Sequence, residues 1–189
     1  MEGKLIRLRQ LTLEDAQPIW EEIGDDPETW RWVGTWSPMP KSAEDLKAEL
    51  SRRLDRPNTE FFAIIDQATG SVIGSTAFLD IREIDCHFEI GGTFIAPRFR
   101  GGNRNVEMKY LMLTEAFENR GAVRVTLKAN EKNLVSRRAM EKIGAKLEGL
   151  LRNDRRERDG SWRTAAYYSI IIEDWPETKS RLLSILETN

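Results

Sequence analysis

The stretch from Phe88 to Phe117, FEIGGTFIAPRFRGGNRNVEMKYLMLTEAF, limits what this chain can fold into more than any other part of it. Phe88, Ile90, Phe94 and Ile95 are strand formers, and Pro97 ends the run by removing a backbone donor. Val106, Tyr110, Leu113 and Phe117 then recur at helical spacing, and Met108, Leu111, Met112 and Ala116 widen that face until the helix must be largely buried. The loop Arg98 to Asn105 therefore feeds a helix N-terminus. There the first N–H groups lack intrahelical partners, the macrodipole is positive, and Gly101 and Gly102 let a ligand approach the backbone. Such a place suits an anion, and phosphate best.

The loop lacks the Gly-Lys-Ser/Thr ending of a P-loop and the three spaced glycines of a dinucleotide fold. It resembles the cofactor loop of the Gcn5-related N-acetyltransferase (GNAT) family. There a strand leads through Arg/Gln-Gly-x-Gly-x-Gly/Ala into a helix, and the loop amides hold the pyrophosphate of acetyl-coenzyme A. The matching run is Arg100-Gly101-Gly102-Asn103-Arg104-Asn105. Asn103 replaces the usual middle glycine, and its tolerance of the left-handed region would keep the loop's shape. Asn105 replaces a small residue. With Glu107 and Lys109 it is similar to the ribosomal-protein N-acetyltransferase subgroup.

Two later segments carry the same resemblance in the right order. Asn133-x-x-Ser136-x-x-Ala139 is similar to the family's helix start, whose Asn side chain contacts the pantetheine arm. Gly144-Ala145-Lys146-Leu147-Glu148-Gly149-Leu150-Leu151-Arg152 is similar to the subgroup's Gly-Ala-x-x-Glu-Gly-x-x-Arg. The resemblance spans residues 4 to 176. It implies an α/β GNAT fold: a mixed, mostly antiparallel sheet of about seven strands, helices on both faces, and splayed fourth and fifth strands.

The remaining elements follow from patterning. Lys4 to Arg9 reads as a strand, and Thr12 and Asp15 have capping-box spacing at the start of a helix reaching Ile23. Gly24-Asp25-Asp26-Pro27 breaks it. Trp30, Trp32 and Trp36 stand in the connection that follows; they either seal the core or line a substrate pocket. Ser42 opens a helix to Leu54. Phe61 to Asp66 and Val72 to Leu79 form a hairpin, Arg82 to Asp85 a turn, and His87 to Ile95 the next strand of an antiparallel meander. Val123 to Lys128 is a fifth strand, and Gly144 closes the helix that Asn133 opens. Asp159-Gly160 turns a hairpin into a last strand, Ala165 to Ile172, and Trp175-Pro176 begins a terminal helix.

With 189 residues, 40% of them hydrophobic, the chain can build one substantial core, so a single domain over 1–189 is expected. The lone Cys86 excludes an internal disulfide, and no signal segment or membrane-length apolar run is evident, which points to a cytoplasmic protein. A formal net charge of −2 gives no overall field for nucleic acid, although arginines cluster at 98–104 and 152–158. The Arg152 to Arg163 segment is either a solvated hairpin or a basic rim that attracts an acidic partner.

The resemblance implies acyl transfer from acetyl-coenzyme A, without a metal, to a primary amine. Glu89, on the strand entering the loop, takes the place of the family's general base; a salt-bridged structural glutamate is the alternative. His87 shares its side-chain parity and reads as a structural histidine rather than a relay. A backbone N–H within Thr93 to Ile95 would serve the developing oxyanion, making Phe94 and Ile95 cofactor contacts. Arg100, Gly101, Gly102, Asn103, Arg104, Asn105 and Asn133 complete the cofactor set. Many relatives use a tyrosine to protonate the leaving thiolate at what is here Met140. Ser136, four residues earlier, holds that role in the subgroup; plain helix capping is its alternative. The expected partner is an amine-bearing substrate, first a protein N-terminus and otherwise a lysine, polyamine or drug. No nucleic acid or membrane is expected, and a homodimer is left open. A non-catalytic acyl-coenzyme A-binding module is the second reading of the whole.

Overall fold

The computed structural model describes residues 1–24, 26–33 and 38–188. Its strands are β1 (Ile6–Gln10), β2 (Glu60–Asp66), β3 (Val72–Arg82), β4 (His87–Ile95), β5 (Arg124–Asn130), β6 (Lys146–Arg156) and β7 (Trp162–Ile171). They form one sheet in the order β1-β2-β3-β4-β5-β7-β6. Neighbours are antiparallel except β4 and β5, which are parallel. This is the mixed, mostly antiparallel seven-stranded sheet expected. Residues 63–66 of β2 and 72–78 of β3 are buried at every position. Because successive strand side chains point to opposite faces, both faces of the sheet centre must be covered.

Among the described residues, six α-helices supply that cover: α1 (Ala16–Ile23), α2 (Pro27–Trp32), α3 (Ala43–Leu54), α4 (Arg104–Thr114), α5 (Leu134–Lys142) and α6 (Trp175–Glu187). α1 packs on α3 and on β3, while α4 packs on α6 and reaches β1. Their ends carry the expected caps. Asp15 accepts from the Thr12 amide at 2.9 Å, and the Ser42 hydroxyl accepts from the Asp45 amide at 3.1 Å. Gly144, at φ +96°, lets the chain leave α5 in a left-handed turn.

Several boundaries differ from the sequence expectation by one to three residues, β7 for instance starting at Trp162 rather than Ala165, and three differences bear on the site. The tryptophan-rich connection contains a short helix, α2, because Pro27 suits its first turn and the Asp26 carboxylate caps it from 2.9 Å. Trp30 on that helix is buried, donates its indole N–H to the Gly24 carbonyl at 2.8 Å, and lies 6.0 Å from the Phe94 ring. Trp30 therefore seals the core, Trp32 is half-buried beneath the Arg31 guanidinium, and Trp36 lies outside the described residues. β3 runs on to Arg82 through an irregularity near Asp80, whose φ is +45°. α4 begins at Arg104, so Arg104 and Asn105 belong to its first turn rather than to the loop.

Candidate active site

β4 and β5 pair only over His87–Arg124, Phe88–Val125 and Glu89–Thr126. Beyond Glu89 the strands part, leaving a notch between the rest of β4 and Leu127 to Asn130, which pair only with β7. β4 is bulged at the same place. Ala77 opposes Gly91 and Ser75 opposes Phe94, so β4 spends three steps where β3 spends two. Gly92, at φ +60°, absorbs the extra residue. Gly74 lets the bulged strand approach closely: a Cβ there would meet the Phe94 carbonyl oxygen at 2.1 Å. Phe94 and Ile95 are buried, so only their backbone edge can face the notch.

At the top of the notch the chain turns through a 3₁₀ turn, Pro97–Phe99, and enters α4. Among the described residues, the backbone N–H groups of 101–106 donate to no protein acceptor; the first helical bond runs from Glu107 to Asn103. α4 has no side-chain cap. A row of open amides at an uncapped helix start is an anion-binding arrangement. Approach is unhindered, since a Cβ on Gly101 would meet nothing within 4 Å and one on Gly102 only the Arg104 guanidinium at 3.7 Å.

The loop's conformation corrects one expectation. Gly101, at φ +86°, takes the left-handed position, whereas Asn103 has φ −79°. Asn103 instead donates its side-chain amide to the Ile185 carbonyl of α6 at 2.9 Å, pinning the loop to the terminal helix. The two arginines that bracket the loop are likewise tied down. Arg100 donates its amide to the Pro97 carbonyl and its Nε to the Ile95 carbonyl at 2.7 Å, and it reaches Thr29 and Asp26 at the start of α2. Arg104 donates to the fully buried Asp66 at 2.6 Å. Those guanidinium contacts shape the loop.

Glu89 closes the bottom of the notch. Its Oε2 lies 2.7 Å from Lys128 Nζ, and the side chains are 12% and 21% exposed. Burial works against the Lys128 charge, but Glu89's charge and hydrogen bond outweigh it and hold the amine above the ordinary lysine value. Lys128 also stands 4.6 Å over the Tyr167 ring, a cation–π contact. Tyr167 donates to Asp154 Oδ1 at 2.7 Å; burial and that hydrogen bond raise its pKa, keeping the phenol protonated. Arg163 meets the other Asp154 oxygen at 3.3 Å. His87 Nε2 hydrogen-bonds Thr126 Oγ1 at 2.7 Å, a structural tie across the β4–β5 pair. Sequence reasoning missed Lys128, Tyr167 and Asp154. They stand on β5, β7 and β6, and the β5–β7 and β6–β7 registers that bring them together are not marked in the local sequence.

On the β5 side, Asn133 caps α5 by accepting from the Ser136 amide at 3.0 Å through Oδ1, which leaves its side-chain NH₂ without a protein partner among the described residues. Ser136 is half-buried and its hydroxyl forms no hydrogen bond there. Met140 is buried, and Tyr168 beneath α5 is tied to Arg137 and Glu141. No group of His, Cys, Asp and Glu among the described residues is arranged to hold a metal.

Comparison with known proteins agrees with this geometry. Residues 6–146 match the family model for the acetyltransferase (GNAT) domain. The chain is 24% identical over 176 residues to the uncharacterized N-acetyltransferase YnaD of Bacillus subtilis (strain 168), covering 91% of this chain and 96% of that protein. Among solved structures, one assigned as an acetyltransferase from T. thermophilus is 34% identical with a TM-score of 0.89, covering 97% and 94% of the two chains. A GCN5-related N-acetyltransferase from Brucella melitensis is 25% identical with a TM-score of 0.88, covering 97% and 83%. The chain therefore belongs to the GNAT acetyltransferase family and is an enzyme of the N-acetyltransferase kind.

Proposed function

We propose that this enzyme moves an acetyl group from acetyl-coenzyme A to a primary amine, with a protein N-terminus as the first candidate acceptor and residues 1–189 acting as a single catalytic domain. The observation that carries the proposal is the row of open amides at 101–106, set at the mouth of the β4–β5 notch. In this reading Gly101, Gly102, Asn103, Arg104, Asn105 and Val106 hold the pyrophosphate through backbone N–H groups, and Arg100 sets the loop's position rather than touching the ligand. The Asn133 NH₂ and the unpaired edge of β4 at Phe94 and Ile95 line the path of the pantetheine arm. When bound, acetyl-coenzyme A supplies an activated thioester.

The chain's own groups then divide the proton traffic. Glu89 accepts the proton of the attacking amine, while Lys128 holds its carboxylate at the notch. A backbone N–H from Thr93 to Ile95 donates to the carbonyl oxygen, since strand parting leaves amides without a partner strand. The Ser136 hydroxyl, not engaged in capping, protonates the departing sulfur in place of the tyrosine that Met140 excludes.

Two measurements test this. Acetyl-coenzyme A and desulfo-coenzyme A should both raise the melting temperature, growing with concentration as RT ln(1 + [L]/Kd), because the anchoring groups are phosphates. Thiol release should be sustained with at least one amine in a mixed panel of peptides and small amines. No thermal shift at millimolar coenzyme A would overturn the cofactor assignment.

A further inference from the structure

The candidate base already holds a primary amine. Glu89 pairs with Thr126 at the point where β4 and β5 part, and Lys128 stands two residues further along β5, on the wall of the notch. Strand side chains alternate, so Lys128 shares a face of the sheet with Thr126 and Glu89. Its Nζ comes within 2.7 Å of Glu89 Oε2. A general base must lie about 2.6–3.2 Å from the group that gives up its proton, so Lys128 stands where an incoming acceptor amine has to stand. A second contact holds it there. Tyr167, opposite Lys128 in the β5–β7 register, has its ring 4.6 Å from Nζ and is itself fixed by its hydrogen bond to Asp154. The Lys128 side chain keeps 21% of its surface exposed, so the amine is held without being sealed off. Lys146 and Lys179 also meet carboxylates, at 2.6 and 2.7 Å, but Asp174 and Glu118 stand beside α6 rather than on β4.

Resting on the acetyl-transfer reading above, we infer that Lys128 is an internal acceptor: with acetyl-coenzyme A bound and no external amine present, the enzyme acetylates its own Lys128 Nζ. Glu89 takes one proton from the ammonium, the Nζ lone pair forms the new N–C bond, and the C–S bond of the thioester breaks with its electron pair leaving on sulfur. Nζ gives up a second proton as the amide forms, and the sulfur takes one up. The sum is one acetamide, one thiol and one proton released to solvent. Because Lys128 is fixed beside the base, the step needs no second molecule to be positioned, which sets it apart from labelling of an exposed lysine. It runs once per chain. Against burial, the same ion pair keeps Lys128 protonated, so the step waits on proton transfer to Glu89 and is slow beside transfer to a free amine. The product amide carries no charge; it ends the ion pair with Glu89 and leaves an acetyl group at the place the acceptor amine needs.

The test reads the mass of the chain itself. Wild-type protein is incubated with acetyl-coenzyme A in the absence of any amine, denatured, freed of cofactor and mapped by peptide mass spectrometry. Lys128 should gain one acetyl group at a rate at least about 100-fold above that of the ion-paired Lys146 and Lys179, the lower end of what a positioned base contributes. Desulfo-coenzyme A, which fills the cofactor site without an acyl group, should suppress the modification of Lys128 and leave the slow labelling of Lys146 unchanged. Glu89→Gln should slow the Lys128 reaction by about 10²-fold or more, and Lys128→Arg should remove it. The thermal shift by desulfo-coenzyme A checks that each variant is folded. Where a variant does not fold, protection of the wild type by desulfo-coenzyme A decides. Lys128 modified no faster than Lys146 and Lys179, or modified equally fast in the presence of desulfo-coenzyme A, would overturn the inference while acetyl transfer to external amines stands. So would an unchanged rate in folded Glu89→Gln. Failure of desulfo-coenzyme A to shift the wild-type protein instead removes the cofactor reading, and this inference with it.

Discussion

Glu89 and Lys109 show how far one residue's role depends on what faces it. Glu89 is salt-bridged to Lys128, as one of the two roles weighed for it requires, and it stands where β4 and β5 part, where the proposed base would be needed. Glu89→Gln separates them. A general base lost from the site lowers kcat by about 10²–10⁴-fold with the affinity for acetyl-coenzyme A unchanged. The loss should shrink as pH rises, since an acceptor amine with a pKa of about 8–10 then arrives deprotonated. A structural glutamate would instead lower the melting temperature and leave kcat near wild type.

Lys109 is the opposite case. It shares the buried face of α4 with Met112 and Leu113, and burial alone pushes its pKa down to about 7. In the unfolded chain it titrates near 10.4. The unfolded state therefore binds the extra proton between these values, so the destabilisation is fully present below about pH 7 and fades as pH rises toward 10.5. Its full size is on the order of 5 kcal/mol as an upper figure. Lys109→Met keeps the stem and removes the charge, so it should raise the melting temperature at pH 7 by at least about 4 °C. It should also flatten the rise in stability from pH 7 to 10, measured by urea unfolding. An unchanged pH profile would show that Lys109 is not titrating in that window.

At the scale of elements, the loop before α4 divides its work between two glycines. Gly101 is needed for its left-handed backbone, so any side chain there strains the fold whatever it does to a ligand. Gly102 has an ordinary backbone and open space, so Gly102→Val should fold normally while covering the amides beside it. The expected result is an unliganded melting temperature within about 2 °C of wild type and loss of most of the shift caused by acetyl-coenzyme A. A full shift in this variant would place the pyrophosphate elsewhere. The strand, loop and helix around these glycines were legible because apolar period, proline and glycine all mark them locally. The exact start of α4 was not, since Asn103 reaches its position through a contact with Ile185 in α6, far along the chain.

At the scale of the whole molecule, Glu107 joins the chain's beginning to its middle. Its carboxylate accepts from the amides of Lys4, Leu5 and Ile6, each at 2.8 Å. The side chain also fills the space beside Gly3, where a Cβ would meet it at 2.5 Å. Glu107→Ala leaves three amides unmatched at the edge of β1 and should destabilise by at least about 3 kcal/mol in chemical denaturation. Glu107→Gln keeps an acceptor and should cost less. If Glu107→Ala matched wild type, β1 would be held by its pairing with β2 alone.

The sequence by itself determined the order and type of nearly every element, because strand and helix periods, caps and turn residues act over a few positions. It also marked Glu89, Asn133 and the Gly101–Gly102 loop as candidates for chemistry. Only the tertiary structure decided what those places contain. The β-bulge at Gly92, the notch beyond Glu89 and the stacking of Lys128, Tyr167, Asp154 and Arg163 all depend on register between strands distant in the chain. A segment such as Arg152 to Arg163 reads as a solvated hairpin when taken alone. Its Asp154 and Arg163 come together with Tyr167 only when β7 is placed between β5 and β6, because long-range pairing, not local preference, sets which charges meet.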